Sequence, residues 1–255
     1  MNYCSITDIG RKREKNEDFC ASVRLADNAA LLVVCDGMGG EAGGEIASSL
    51  AAESFVAEVK YQSESRIESG KLYFAEPEIE IPMMLDSALA NANFEVWQKA
   101  QDEPALRGMG TTLVAALVFS SPLRVFTVNI GDSRAYKIND LTSERLTKDH
   151  SYVQQLVDNG EITQKQADTH KNRNIITRAV GISIRAEGDI KEADVKEGDM
   201  LLLCTDGLSG MLSDDEMHGV LTYCEAPLQT KLEKLVSLAN DAGGDDNITA
   251  ILAIL

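Results

Sequence analysis

Three apolar runs in this chain meet an aspartate beside glycine, and no other feature constrains the fold as much. They are LLVVCDGMGG (31–40), LLLCTDGLSG (201–210) and GGDDNITAIL (243–252). A carboxylate at the end of a buried strand is costly unless it is paired or bound to a cation. One such aspartate is accounted for as a turn residue or a helix N-cap, and for Asp36 alone that reading stays open. Repetition changes the argument. Asp132 stands in VNIGDSRAY, and an acidic pair, Glu17 and Asp18, stands in RKREKNEDF. Each lies where a strand meets a turn, so side chains from separate strands can converge at one sheet edge.

The chemistry of such a cluster is that of hard cations. The whole chain has 3 histidines, and no His or Cys group has zinc-ligand spacing. Carboxylate, carbonyl and water suit magnesium or manganese. Gly37, Gly39 and Gly40 allow a sharp turn in which a carbonyl can face a cation. DGMGGEAGG is neither a Walker loop nor a G-x-G-x-x-G after a strand, so the glycines alone say little. Two ions bridged by one carboxylate hold a hydroxide at neutral pH and clamp a phosphoryl oxygen. A guanidinium completes such a site by bidentate hydrogen bonds. Arg13 shares a short segment with Glu17 and Asp18 and is the candidate, although a run such as RKREK is commonly plain solvated surface.

Composition narrows the partners. A net charge of −17 over 255 residues argues against non-specific nucleic-acid binding and against docking on an anionic membrane. Its simple meaning is solubility; its functional meaning is that some carboxylates hold cations. The 5 cysteines are odd in number and lack C-x-x-C spacing, which fits reduced thiols in a cytoplasmic compartment. Cys35 and Cys204 read as core filler. The start MNYCSITDIG has no signal-peptide apolar stretch, and no run approaches the roughly 18 residues of a membrane span.

The periodicity predicts strands over 2–9, 18–25, 30–36, 111–119, 124–130, 134–139 and 199–206, and a closing strand in NITAILAIL. Helices are predicted over 43–60, 83–101, 214–222 and 228–241, with two short ones within 151–170. Trp97 reads as a core anchor. Residues 61–82, with Pro77 and Pro82, read as an irregular loop. Short connections between consecutive strands favour antiparallel pairing, and the block order fits α+β layering. The apolar C-terminal strand is expected to be central.

Taken in order, TDIGRKREKNEDF, VVCDGMGG, GMGTTLVAAL, VNIGDSRAY, LTKDHS, RNIITRAVG, LLLCTDGLSGML and GGDDNITAIL resemble the PPM family, the metal-dependent protein serine/threonine phosphatases of type 2C. The likeness spans essentially the whole chain and is greatest to compact bacterial members. It implies a single catalytic domain over 1–255, a four-layer α-β-β-α sandwich of two antiparallel sheets flanked by helices. It also implies that Asp36 bridges two Mn²⁺ or Mg²⁺ ions, one of which takes the Gly37 carbonyl, with Asp206 and Asp246 completing the first ion. Glu17 and Asp18 would act through bound waters, Asp132 with Asp206 would hold a weaker third ion, and Arg13 would bind phosphate. Asn247 would orient its loop, and residues 151–176 would form a mobile flap.

The implied reaction is in-line attack on phosphoserine or phosphothreonine by a metal-bridging hydroxide, with no phosphoenzyme. The implied substrates are phosphorylated proteins opposed to a cognate Ser/Thr kinase, with the enzyme monomeric. Two departures stand out: Glu41 where many bacterial members carry His, and Met38 where some animal members place a proposed general acid. Protonation of the leaving group then falls to bound water or to His150, although KDHS fits better as the flap base. The alternative is a pseudophosphatase, a binding module with little turnover, but decayed members usually lose aspartates that are all present here. A third reading keeps the enzyme and makes the substrate a phosphorylated regulator such as an anti-sigma antagonist.

Overall fold

The computed structural model describes residues 1–255, except for the side chains of 40–42, so the Glu41 departure lies outside what is described. The chain opens with β1 (Asn2–Asp8), β2 (Asp18–Ala26) and β3 (Ala29–Met38). Two long helices, α1 (Gly40–Glu64) and α2 (Pro77–Asp102), flank a small hairpin, β4 (Ile67–Glu68) and β5 (Lys71–Leu72). Next come β6 (Gly110–Thr111), β7 (Leu113–Ser120), β8 (Leu123–Ile130), β9 (Arg134–Ile138) and β10 (Ser143–Arg145). An excursion carries α3 (Tyr152–Asp158) and α4 (Gln164–Asp168) before β11 (Asp189–Ala193) and β12 (Met200–Cys204). The chain ends with α5 (Asp206–Ser209), α6 (Asp214–Tyr223), α7 (Leu228–Asp241) and β13 (Ile248–Ile254).

One sheet runs β1-β13-β12-β9-β10; the other runs β11-β8-β7-β3-β2, with β6 pairing at the end of β3. The pairings in both are antiparallel. Leu32, Val34 and Val114 of one sheet meet Leu201, Leu203 and Ile251 of the other, which makes the central layer of the core. The alternate residues Leu31, Val33 and Cys35 face α1 and α2 on one outer side. Leu202, Cys204 and Leu252 face α6 and α7 on the other. The central strands are therefore covered on both faces, which is why they read as unbroken apolar runs rather than alternating ones. This is the expected α-β-β-α sandwich, and β13 lies between β1 and β12 as the apolar terminus required.

Three expectations need correction. Residues 61–82 are not an irregular loop: α1 runs on to Glu64, the hairpin follows, and Pro77 opens α2. Proline at the first helical position has the right φ and gives up a backbone donor that has no partner there. The hairpin is pinned to the β2–β3 turn, because Asn28 Nδ2 donates to the Leu72 carbonyl (3.1 Å) and its Oδ1 accepts from Leu72 N–H (2.8 Å). Trp97 is half-buried against Phe94, with ring centroids 6.3 Å apart, while Leu85, Leu89, Ala92 and Val96 take the core face. The edge strands β10 and β11 were not predicted; SER and DIKEA carry too few apolar residues to signal a strand.

Candidate metal centre

The predicted carboxylates come from five separate stretches of chain and meet at one edge of the sandwich. Asp36 ends the apolar part of β3, and Asp18 opens β2 directly opposite it in register. β3, β7 and β8 are successive antiparallel neighbours, so the ends of β3 and β8 share an edge. That brings Asp132, in the turn after β8, to the same place. Asp206 follows β12 and Asp246 precedes β13; these two strands pair antiparallel with Cys204 opposite Ala250.

Hydroxyls and amides hold these tips. Thr112 binds both sides of Asp36: its N–H donates to the Asp36 carbonyl (2.9 Å) and its Oγ1 accepts from Asp36 N–H (3.0 Å). The same hydroxyl contacts Ser133 Oγ at 2.7 Å, which links the Asp36 tip to the Asp132 turn. Thr205 Oγ1 donates to Asp18 Oδ2 (2.9 Å) and accepts from Thr249 N–H (3.0 Å). Asn247 organises the loop before β2: its Oδ1 accepts from Glu17 N–H (2.8 Å), and its Nδ2 donates to the carbonyls of Ile9 and Lys15 (2.9 Å each).

Two glycines are required by close approach. A Cβ at Gly37 would run into the Gly44 carbonyl oxygen, and one at Gly207 into that of Asn247. Arg13, Asp132, Asp206 and Asp246 all line an open cleft of about 680 Å³. Arg13 Nη2 donates to Asp246 Oδ2 at 2.7 Å, and the arginine side chain remains 47% exposed. Residues 151–176 cover one side of this cleft through Gln154, Gln164, Asp168 and Arg173.

Burial, reinforced by like charges, dominates the electrostatics. Burial, followed by the charges of Asp18, Asp206, Asp132 and Asp246, holds the Asp36 carboxyl well above the ordinary carboxylate range. Burial above all pushes Asp132 to about 8, helped by Asp206 and Asp149 and opposed by Arg134. Asp18 rises to about 7 through burial, with hydrogen bonds from Thr249 and Thr205 pulling the other way. Asp206 is raised by burial and by Asp246, and its Oδ1 is buried with no hydrogen-bond partner among the described residues. An orphaned carboxylate oxygen amid mutually repelling carboxylates is a site that a cation would relieve.

The donors are all oxygen, which fits magnesium or manganese. Among the described residues no three His, Cys, Asp or Glu side chains are placed to hold a metal ion together. Magnesium-type sites ordinarily use one or two carboxylates and several waters, so an open arrangement suits such an ion.

The structure brings Arg13, Glu17, Asp18, Asp36, Gly37, Asp132, Asp206, Asp246 and Asn247 to this edge. Sequence reasoning missed the supporting hydroxyls of Thr112, Ser133 and Thr205. It also missed the Arg134–Asp149 pair (2.7 Å) beside Asp132. The signal was available, since GMGTTL, GDSR, LTKDHS and CTDG each place a polar residue within a few positions of a buried strand end.

Comparisons with known proteins identify the family. The Protein phosphatase 2C profile matches residues 10–253. The serine/threonine phosphatase stp of Listeria welshimeri is 38% identical over 246 residues, covering 96% of this chain and 92% of that protein. The crystal structure of serine/threonine phosphatase Stp1 from Staphylococcus aureus superposes with a TM-score of 0.87 at 37% identity, covering 99% of this chain and 94% of that one. The catalytic domain of the serine/threonine protein phosphatase PstP, solved with two manganese ions, gives a TM-score of 0.78 at 33% identity, covering 99% of this chain and 97% of that one. With the matched profile running nearly from end to end over a cleft of converging aspartates, this chain belongs to the protein phosphatase 2C family.

Proposed function

We propose that the protein is a metal-dependent serine/threonine phosphatase that hydrolyses phosphoserine and phosphothreonine in phosphorylated proteins. The observation that carries this reading is the convergence of Asp18, Asp36, Asp132, Asp206 and Asp246, each on a different strand tip or turn, at one edge of the sandwich, where Asp132, Asp206 and Asp246 line a cleft with Arg13. Asp36, whose carboxyl feels the charges of Asp18, Asp206, Asp132 and Asp246, would hold two Mn²⁺ or Mg²⁺ ions, with the Gly37 carbonyl as a further ligand beside it. Asp206 and Asp246 would complete the first ion, with Glu17 and Asp18 acting through water. Asp132, with Asp206, would hold a weaker third. Divalent ions so held lower the pKa of bound water to near neutral and polarise a phosphoryl oxygen.

The protein's own groups do the rest. Arg13 lines the cleft and is free to turn from Asp246 toward a phosphate dianion, which it can grip by two hydrogen bonds. Asn247 fixes the backbone of the Arg13 loop through Ile9, Lys15 and Glu17. The ring nitrogens of His150 face Gly131, Arg178 and Asp189, which removes it from the candidates for protonating the leaving group. The chain would act as one catalytic domain, with 151–176 as a flap over the peptide around the phosphate. In the cell it would work in the cytoplasm, as a monomer, against a Ser/Thr kinase. The full aspartate set supports turnover over a pure binding role.

The test is hydrolysis of a phosphothreonine peptide with and without Mn²⁺, with a phosphotyrosine peptide as control and Asp206→Ala alongside. Manganese-dependent release from phosphothreonine, lost in the folded variant, is expected. Metal-independent release, or equal release by Asp206→Ala, would overturn the reading.

A further inference from the structure

His150 is 7% exposed and lies where the 151–176 excursion leaves the sandwich. Its bonds join two places that sequence keeps apart. The backbone N–H of His150 donates to the Gly131 carbonyl (2.8 Å), and the Gly131 N–H donates back to His150 Nδ1 (3.2 Å). Both groups of Gly131 are thus held by one residue. Gly131 precedes Asp132 and has a φ of +110°, a conformation in which a side chain would be strained and would press on Thr112.

On the other side, the His150 carbonyl accepts from Thr177 N–H (2.7 Å), where the excursion returns. Its entry and exit close on each other just beyond: Tyr152 N–H donates to the Ile175 carbonyl (2.8 Å), and Ser151 bridges Ile176. Nε2 of His150 faces Arg178 Nη1 at 3.3 Å and Asp189 Oδ1 at 3.5 Å. Asn129 adds to the same knot, donating to the Lys148 carbonyl at 3.0 Å. Burial and the Arg178 charge keep the imidazole below its usual pKa, so at neutral pH it is the acceptor that the Gly131 N–H needs.

We propose that His150 is a positioning residue that ties the neck of the excursion to the Asp132 turn, so that the cover of the cleft and one carboxylate of its floor are placed together. The excursion reads the peptide and the turn carries Asp132, so the coupling would make peptide hydrolysis sensitive to a residue that touches neither substrate nor ion. The use made of this coupling rests on the phosphatase reading; the coupling itself does not.

Three variants separate the bonds. In His150→Asn the amide oxygen takes the place of Nδ1 and keeps the Gly131 acceptor. In His150→Gln the amide nitrogen takes the place of Nε2 and the Gly131 N–H is left without an acceptor. His150→Ala provides neither. Hydrogen exchange of the full chain reads the coupling without any activity. His150→Ala and His150→Gln should speed exchange about ten-fold in both 128–133 and 175–179, while His150→Asn stays near wild type. With Mn²⁺, His150→Gln should also lower kcat/KM about ten-fold on a phosphothreonine peptide, more than on p-nitrophenyl phosphate, and His150→Asn should restore it.

Faster exchange in only one of the two segments, or equal behaviour of the Asn and Gln variants, would overturn the proposal. If His150→Ala fails to fold, the Asn–Gln pair still decides it. A wild type inactive on both substrates would sink the phosphatase reading instead, and the exchange result would stand on its own.

Discussion

At the residue scale, the aspartates gather at one edge of the sandwich, and it was their repetition at the ends of apolar runs, not any single one, that made them legible. Their supports were less legible, since a threonine in such a run looks like any β-branched strand residue. Thr205 is fully buried, and its hydroxyl serves Asp18 Oδ2 and Thr249 N–H. Thr205→Val keeps the shape and leaves that N–H unpaired. It should cost about 1–3 kcal/mol, and it should weaken Mn²⁺ binding by disturbing Asp18. Thr205→Ser should recover most of both. An unchanged melting temperature together with unchanged Mn²⁺ titration in Thr205→Val would show the hydroxyl to be idle. Arg13 was found from its neighbours Glu17 and Asp18, but its bond to Asp246 was not foreseeable, because 233 residues separate the two. Arg13→Ala should chiefly raise KM for small phosphoesters, since its expected contact is with the ground-state dianion as much as with the transition state. A change confined to stability, with KM unmoved, would return Arg13 to a structural role.

At the element scale, the closing strand shows how sequence pattern becomes site geometry. Ile248 to Ala253 are buried without alternation, which demands cover on both faces and hence a central place. That place lets β13 deliver Asp246 and Asn247 to the edge, with β1 and β12 fixing it on either side. Leu252 is fully buried between that strand and the outer helices. Leu252→Ala should cost about 2–5 kcal/mol by cavity formation. At about 2–4 °C per kcal/mol for a chain of this size, the melting point should fall several degrees or more. A drop under a degree would mean that the strand is not the keystone its burial implies. The 61–82 stretch was illegible for the opposite reason: its order comes from contacts made elsewhere. The hairpin is held by Asn28, and Pro77 marks a helix start only once it is known that a helix follows.

At the scale of the whole molecule, the fold places a nest of carboxylates with raised pKa values at the rim, and a divalent ion is what would compensate it. Hairpin spacing gave antiparallel pairing, but the strand orders of the two sheets were not readable from local pattern, because they are set by which faces need covering. Among the described residues no helix is long and apolar enough to cross a membrane.

The carboxylate nest has a thermodynamic signature opposite to that of ordinary acid denaturation. Burial pushes Asp18 up to about 7 and Asp132 up to about 8 in the folded protein, against an ordinary 3.8. An acid whose folded pKa is raised keeps protons that the unfolded chain has already lost. Its contribution is therefore greatest below about pH 4 and disappears as pH climbs through the folded values. His150 acts with the reverse sign, since its pKa is lowered from 6.5 and its stabilisation is lost as pH falls below that value. Above pH 7 the aspartates should therefore govern the slope, and protein treated with chelator should melt at a lower temperature at pH 8.5 than at pH 7. Ions require the ionised carboxylates, so saturating Mn²⁺ should stabilise more at pH 8.5 than at pH 7 and flatten or reverse that slope. Calorimetry at both pH values, with chelator and with Mn²⁺, reads the four melting points. A chelated protein that is as stable at pH 8.5 as at pH 7 would mean that these carboxylates do not crowd one another, and the case for a cation at this edge would lose its physical basis.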